Sequence, residues 1–294
     1  MHRIGTPWRL IGSLVGLLVV GTFRAASALA VGPLFDAHLH YSAEDAQQFS
    51  PAEIIAILDR NRIMRAVVTG TPAEHTATLF DHAPTRIVPF LGVYRSAADK
   101  ADWTRDGGLP ARVEQALERG IWRGIGELHL FADDRDSPVF RRLVGIATER
   151  NLPLLIHGDP AMIDRLYEIA ADATVIWAHA GAYPYPELLA GYLARHPRLF
   201  VDLSVRDARI APEGRLADPW RRLFLAHPER FLIGVDTFSV ARWRAFDSVT
   251  ADIRAWLDQL PPDIAARLAR ENALTLFKLN EGRAQRVIQN PSLR

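Results

Sequence analysis

The sequence contains no cysteine and only three methionines, and its positive and negative charges nearly cancel. Without cysteine the chain forms neither a disulfide framework nor a zinc or iron–sulfur site with thiolate ligands. The formal net charge of +1 shows no basic excess of the kind that nucleic-acid-binding domains carry. Of the 294 residues, 49% are hydrophobic and 23% are charged. This balance is typical of a globular protein and argues against disorder and against a multi-span membrane protein.

The first thirty residues have the three-part pattern of a secretory signal peptide. Arg3 and Arg9 precede an apolar run over 10–23, and a small-x-small cleavage site ends at Ala30. The alternative is an uncleaved N-terminal membrane anchor, but a run of about 14 residues is short against the ~20 that span a bilayer. We therefore predict cleavage after Ala30, which shifts the net charge to −2 and leaves no stable membrane span. The predicted location is periplasmic or secreted.

Beyond residue 30, short apolar segments alternate with amphipathic ones. The apolar segments are rich in Val, Ile, Leu and Phe at nearly every position, as in strands buried on both faces of a parallel sheet. Eight strands are predicted: Leu34–His38, Arg65–Thr69, Ile87–Val93, Gly124–Leu128, Leu154–His157, Thr174–Ala178, Leu199–Ser204 and Phe231–Val235. Helical patterns separate them, and two long ones, Val240–Leu260 and Pro262–Leu279, follow. One α/β domain over residues 31–294 is predicted, a (β/α)8 TIM barrel, with a doubly wound open sheet as the alternative.

Polar residues at the carboxyl ends of these strands are informative, because these ends form the active face of a barrel. The first strand ends with His38 and His40, which point to the same side because they are two residues apart. The fourth, fifth, sixth and eighth strands end with Glu127, His157, His179 and Asp236. Each residue alone has an ordinary interpretation: a core histidine, a Glu127–Arg123 ion pair, or an Asp236 helix cap. Together, six nitrogen and oxygen ligands without a thiolate are typical of a site for Zn²⁺, Mn²⁺ or Fe²⁺.

These residues, in this order and at these strand ends, resemble the metal-binding motif of the amidohydrolase superfamily. The resemblance covers essentially the whole chain after residue 30. The segments Trp177-Ala-His179-Ala-Gly181 and Gly234-Val-Asp236, and an Asn-Ala-x-x-Leu-Phe pattern over 272–277, are similar to the amidohydrolase-related branch, also called amidohydrolase 2. The resemblance implies a metal-dependent enzyme in which the ligands are His38, His40, Glu127, His157, His179 and Asp236.

The resemblance leaves the number of metal ions open. Binuclear members bridge two ions with a carboxylated lysine or a glutamate on the fourth strand, and Glu127 stands at that position, as in TatD-type deoxyribonucleases. Decarboxylase-like members use one ion and lack this acid. In that arrangement His38, His40, His157 and Asp236 would hold the ion, and His179 would be free to polarise the substrate. We predict one or two divalent ions, Zn²⁺ in the first place and Mn²⁺ or Fe²⁺ as alternatives.

The chemistry implied is hydrolysis of an amide, lactone or ester bond by a metal-activated water. Asp236 is the predicted general base and acid, and His179 is the second predicted catalytic residue. The alternatives are a mononuclear non-oxidative decarboxylase and a TatD-like nuclease or phosphoesterase. The mature chain has a net charge of −2 and lacks the band of basic residues that binding to a phosphate backbone requires. We therefore expect a small-molecule substrate and no nucleic acid. The sequence gives no indication of the oligomeric state.

Substrate-binding candidates follow the third, fourth and seventh strands. Arg206 and Arg95 each suit a bidentate pair with a substrate carboxylate, or an ordinary ion pair with Asp207 and Asp99. Tyr94 and His129 are further candidates at the same end of the barrel. Four other residues have two open interpretations each: pocket wall or helix packing for Tyr183, Tyr185 and Trp243, and ligand orientation or helix capping for Asp159.

Overall fold

The structure is a computed structural model that describes residues 31–279. Eight parallel strands lie side by side in chain order, so that each strand pairs with the next. They are β1 (Leu34–His40), β2 (Ile63–Thr69), β3 (Ile87–Leu91), β4 (Gly124–Leu130), β5 (Leu154–Gly158), β6 (Val175–Trp177), β7 (Leu199–Asp202) and β8 (Phe231–Leu232). Hydrogen bonds from Ala37 N to Ile233 O (2.8 Å) and from Asp236 N to His38 O (2.7 Å) close the barrel between β8 and β1. The predicted (β/α)8 barrel is therefore confirmed, and the open-sheet alternative is wrong.

Helices connect the strands and cover the outside of the barrel. They are α1 (Ala43–Gln48), α2 (Pro51–Arg60), α3 (Glu74–His82), α4 (Leu109–Leu117), α5 (Pro138–Glu149), α6 (Pro160–Ile169), α7 (Pro186–Arg195), α8 (Asp207–Ile210), α9 (Asp218–Ala226), α10 (Val240–Arg244), α11 (Phe246–Leu257), α12 (Pro262–Ala266) and α13 (Asn272–Leu276). Their starts follow from local chemistry. The side chain of Ser50 accepts a hydrogen bond from Glu53 N, and Pro51 occupies the first position of α2.

Both long C-terminal helices predicted from the sequence are interrupted in the structure. The first breaks at Ala245, whose φ of −89° and ψ of 4° are not helical, so it becomes α10 and α11. The second contains a π-helical turn over Arg267–Glu271 that separates α12 from α13. Within residues 31–279, no helix has the length and apolar character needed to cross a bilayer. The predicted signal peptide, residues 1–30, lies outside the described residues.

The last helix closes the amino-terminal end of the barrel. Phe277 follows α13 and stacks on Phe35 of β1 with ring centres 5.8 Å apart, and it meets Phe90 of β3 edge-on at the same distance. These rings belong to an apolar cluster inside the barrel, separate from the larger core between the strands and the helices. Asn272 Nδ2 donates to the carbonyls of Pro228 and Phe231, each at 2.8 Å, at the start of β8. Apolar side chains thus fill the interior at the amino-terminal end of the barrel, and the carboxyl end is where a site can form.

We expect Asn272→Ala to lower the free energy of unfolding by about 2 kcal/mol. The substitution leaves two carbonyl groups at the start of β8 without their side-chain donor, although Asn272 itself is far from the carboxyl end. Thr275→Ala, an exposed position on the same helix, is the matched control and should change stability little. Chemical denaturation of both variants measures the difference. Equal stability of the two variants would contradict the closing role of Asn272.

Candidate metal centre

The six predicted ligands come together at the carboxyl end of the barrel. Five of them line a cavity of about 780 Å³: His40, Glu127, His157, His179 and Asp236. The sixth, His38, is fully buried beside His40, and the two Nε2 atoms are 3.2 Å apart. The side chains are separated by up to 198 positions in sequence, yet the parallel strands deliver them to one end of the barrel.

Glu127 lies between two groups of histidines, one facing each of its oxygens. Its Oε2 atom lies 3.4 Å from His40 Nε2 and 3.8 Å from His38 Nε2. Its Oε1 atom lies 2.9 Å from His157 Nδ1 and 3.1 Å from His179 Nε2. A carboxylate in this position can serve two cation sites at once, one on each side.

Asp236 completes the first group. Its Oδ1 atom lies 3.3 Å from His40 Nε2 and 3.8 Å from His38 Nε2, while Oδ2 lies 3.7 Å from His179 Nε2. Oδ1 is buried and has no hydrogen-bond partner within residues 31–279. Because a buried carboxylate oxygen without a partner is costly, this atom indicates that a group outside the protein belongs here.

The backbone at two of these positions adopts a conformation that L-residues rarely take. His179 has φ 57° and Asp236 has φ 55°, and each costs roughly 1–2 kcal/mol relative to ordinary backbone. Hydrogen bonds hold both residues in place: His179 N donates to Asp202 Oδ2 (3.1 Å), and Asp236 N donates to His38 O. Strain of this kind is concentrated at functional sites, where the surrounding structure fixes it.

The charges of the site favour a cation. Burial alone would raise the pKa of Glu127, but His38 and the hydrogen bonds from His157 and His179 hold it well below its usual range. Burial alone would also raise the pKa of Asp236, but the charge of His38 is the main cause that lowers it below its usual value. Burial would lower the pKa of His38, yet Asp236 and Asp202 raise it well above its usual value. In the metal-free protein the carboxylates are therefore anionic and favour a proton on His38, where a metal ion would take the place of the proton.

The residues present fit divalent cations. Among the described residues, three groups of ligand atoms each lie within 4.8 Å of one another: His38–His40–Glu127, Glu127–His157–His179 and the fully buried His38–His179–Asp202. The first two groups contain residues that line the cavity. All donors are imidazole nitrogens and carboxylate oxygens, a set that suits Zn²⁺, Mn²⁺ or Fe²⁺. The unpartnered Oδ1 atom of Asp236 stands next to the first group.

Three buried polar residues below the ligands escaped the sequence analysis as functional candidates. Asp202 and Ser204, at and just after the end of β7, are fully buried and bonded to His38 and His179. Asp36, also fully buried, accepts hydrogen bonds from the backbone of His38 and Val235, and burial raises its pKa to about 8. The signal that could have identified Asp202 is its place at a strand end, the criterion that selected the other acids.

The predicted substrate-binding residues have different positions. His129 lines the cavity with Nε2 3.5 Å from Glu127 Oε2, and burial lowers its pKa to about 3, which keeps the ring neutral. Tyr94 is buried behind His129 and does not line the cavity; its hydroxyl accepts from His129 N at 2.8 Å. Arg95 lines the cavity but forms an ion pair with Asp99, with 69% of its side chain exposed.

Arg206 lines the cavity with one edge of its guanidinium bonded to the protein. Its Nε atom donates to His179 O (2.7 Å), and Nη2 donates to Gly181 O (3.2 Å). Within residues 31–279 it has no carboxylate at ion-pair distance, because Asp207 instead accepts from Trp256 Nε1. Arg242, which the sequence analysis did not select, has the same arrangement: it lines the cavity and donates twice to Val235 O.

Contacts decide between the two interpretations for Asp159 and Trp243, whereas Tyr183 and Tyr185 fit neither of theirs. The side chain of Asp159 accepts from Met162 N and caps α6. Trp243 is fully buried and stacks on Phe246, so it is a packing residue. Tyr183 and Tyr185 are exposed, at 55% and 57%, on the loop after β6, and neither lines the cavity.

Several solved structures have the same fold. An amidohydrolase from Burkholderia multivorans with bound zinc shares 17% identity, with a TM-score of 0.56 over 85% of this chain and 100% of its own. A probable 2-pyrone-4,6-dicarboxylic acid hydrolase from Acinetobacter baumannii shares 13% identity, with a TM-score of 0.56 over 84% of this chain and 99% of its own. A TatD homologue from Escherichia coli K12 shares 15% identity, with a TM-score of 0.58 over 85% and 100%. At these identities the likeness shows the fold alone.

Comparison with known families agrees with the resemblance seen in the sequence. No curated protein matches the chain. The model of the amidohydrolase-2 family, described as Amidohydrolase, matches residues 35–279. This range begins in β1 and ends just beyond α13, so it includes the whole barrel and all six predicted ligands. The chain therefore belongs to the amidohydrolase-2 branch of the amidohydrolases, a family of metal-dependent hydrolases.

Proposed function

We propose that this protein hydrolyses an amide, lactone or ester bond of a small molecule with the help of two divalent cations. The observation that carries the proposal is the position of Glu127, whose two oxygens face two different groups of histidines. In a mononuclear decarboxylase-like site, an acid at the end of the fourth strand is not expected to bind metal. The zinc bound by the Burkholderia multivorans amidohydrolase supports Zn²⁺ as the metal.

The six ligands form two neighbouring cation positions in this arrangement. His38, His40 and Asp236 would hold the first cation, His157 and His179 would hold the second, and Glu127 would take part in both positions. When bound, such cations polarise the bond to be cleaved and lower the pKa of water to roughly 7. The buried carboxylate of Asp236, which faces both positions, accepts the proton of the attacking water and returns it to the leaving group.

The cavity supports a small substrate that carries an anionic group. Its volume of about 780 Å³ suits a small molecule. Arg206 and Arg242 line it without a carboxylate partner in the described part of the chain, so their remaining N–H groups are available to a substrate carboxylate. His129 contacts the substrate beside Glu127, and Tyr94 holds His129 in position. The name of the Acinetobacter baumannii neighbour, a dicarboxylic acid hydrolase, supports this substrate class.

Export belongs to the same proposal. The pattern over residues 1–30 would direct the mature chain, residues 31–294, to the periplasm or the medium as one domain. The partner proposed for it there is a small-molecule substrate rather than nucleic acid, and the cavity at the carboxyl end of the barrel has a suitable volume for it.

A substrate screen tests the proposal. Protein loaded with Zn²⁺ is incubated with lactones, N-acyl amino acids, aryl esters and phosphotriesters, each with and without a carboxylate. We expect turnover of a carboxylate-bearing lactone, amide or ester, loss of turnover after a chelator removes the metal, and recovery when Zn²⁺ is returned. The products are identified by mass spectrometry. Release of carbon dioxide instead of a hydrolysis product, or turnover that survives chelation, would contradict the proposed reaction.

A further inference from the structure

A buried carboxylate and a buried hydroxyl connect two of the predicted metal ligands behind the site. Asp202 Oδ2 lies 2.8 Å from His38 Nδ1 and 2.6 Å from Ser204 Oγ. Ser204 Oγ in turn lies 2.8 Å from His179 Nδ1. Asp202 and Ser204 are both fully buried, so no water competes for these contacts.

The number of hydrogens in this chain of contacts fixes the direction of each bond. An ionised carboxylate only accepts, so Ser204 donates its single hydroxyl hydrogen to Asp202. The Ser204 oxygen then accepts from His179, which places a hydrogen on Nδ1 of that ring. The Asp202 carboxylate also accepts from His38, which places a hydrogen on Nδ1 of the second ring. In the neutral form that binds a metal, each ring then has its hydrogen on Nδ1 and a free electron pair on Nε2, the atom that faces the site.

The two histidines serve different halves of the site. His38 Nε2 is 3.2 Å from His40 Nε2, whereas His179 Nε2 is 3.1 Å from Glu127 Oε1. Their rings are stacked at 4.9 Å with an angle of 17°. One carboxylate thus reaches both halves, directly through His38 and by way of Ser204 through His179.

The surrounding backbone is built around this contact. Asp202 Oδ2 also accepts from His179 N (3.1 Å), which holds that residue at its positive φ, and Asp202 Oδ1 accepts from Ser204 N (3.0 Å). A Cβ atom at Gly234 would lie 2.9 Å from Asp202 Oδ1 and 2.9 Å from His38 Cβ. Only glycine therefore leaves room at position 234 for the carboxylate to approach His38.

We propose that Asp202 and Ser204 are positioning residues that fix the tautomers of His38 and His179 together, so that one buried carboxylate prepares both cation positions. The inference rests on the proposed two-cation function. Ser204 acts chiefly on the second position, because its oxygen lies 2.8 Å from His179 Nδ1 and 3.4 Å from His38 Nδ1, whereas Asp202 acts on both positions. Partners of this kind typically change metal affinity 10–100-fold when removed.

Zinc titration of two variants tests the inference. Wild-type binding of two Zn²⁺ ions, measured by competition with a chromophoric chelator, comes first and tests the proposed function by itself. Ser204→Ala should weaken the second ion about 10–100-fold and the first ion far less. Asp202→Asn should weaken both ions by a factor in the same range. Ser204→Thr, which keeps the hydroxyl, should restore the second ion.

A matched control separates positioning from general stability. Thr104→Val also removes a buried hydroxyl that donates to a carboxylate, since Thr104 Oγ1 lies 2.8 Å from Asp134 Oδ1 on loops away from the ligands; both zinc affinities should stay at the wild-type values. Thermal melting of the metal-free forms shows which variants fold. If Ser204→Ala folds and binds both ions as the wild type does, the inference is overturned while the proposed function stands. If Ser204→Ala weakens both ions equally, the assignment of Ser204 to the second position is overturned.

Discussion

Replacing Asp236 by asparagine is expected to lower kcat by about 10²–10⁴-fold, the usual contribution of a general acid and base. The amide has the same shape as the carboxylate and keeps an oxygen toward the site, but it cannot accept a proton from water. Asp236 Oδ1 is buried and has no partner within residues 31–279, and Oδ2 faces His179. Glu127 does not take over this role, because histidines engage both of its oxygens.

Steady-state kinetics of Asp236→Asn with the substrate from the screen measures this effect, together with the metal content of the variant. Asp159→Asn is the matched control. It also changes a carboxylate just after a strand to an amide, but Asp159 caps α6, and asparagine caps a helix as well as aspartate does. The kcat of Asp159→Asn should therefore equal that of the wild type. Full turnover of Asp236→Asn at unchanged metal content would show that the proton is transferred elsewhere.

The barrel was predictable because its rules are local and repeated. Eight apolar segments of the right length predicted the strands, and parallel strands bring their carboxyl ends to one end of the barrel wherever they lie in the chain. Residues at those ends, such as His38 and His179, could therefore be grouped although 141 positions separate them. The breaks near Ala245 and Arg267 could not be predicted, because the apolar pattern continues through both.

The buried residues that hydrogen-bond to the metal ligands were not predictable, for a different reason. Ser204 matters because its single hydrogen is committed to Asp202, and that follows from distances that no spacing rule encodes. Arg206 shows the same limit. Its position after β7 suggested substrate binding, but not that two of its donors hold the carbonyls of His179 and Gly181. The position of a residue at a strand end predicts that it faces the cavity. It does not predict which buried residues hydrogen-bond to it from the side away from the cavity.

Removal of the Glu127 side chain is expected to reduce the metal content from about two ions per chain to about one. Glu127→Ala takes away the oxygen that both histidines of the second position contact, and the ligands assigned to that position are then His157 and His179. Two imidazoles are fewer than the three protein ligands that catalytic zinc sites usually have. The first position keeps His38, His40 and Asp236, which meets that number. Metal analysis after dialysis counts the ions.

Glu127→Gln sharpens this test, because the amide keeps one oxygen acceptor but presents no negative charge to either side. If charge on both oxygens is what holds the second ion, the glutamine variant also retains about one ion, and turnover falls with it. Glu149→Ala removes an exposed glutamate paired with Arg142 and should leave both ions in place. A wild-type protein with one ion, unaffected by either substitution at Glu127, would instead favour the mononuclear arrangement with His179 free. The metal count therefore separates hydrolase-like from decarboxylase-like chemistry before any substrate is known, since the two arrangements differ in whether Glu127 binds metal at all.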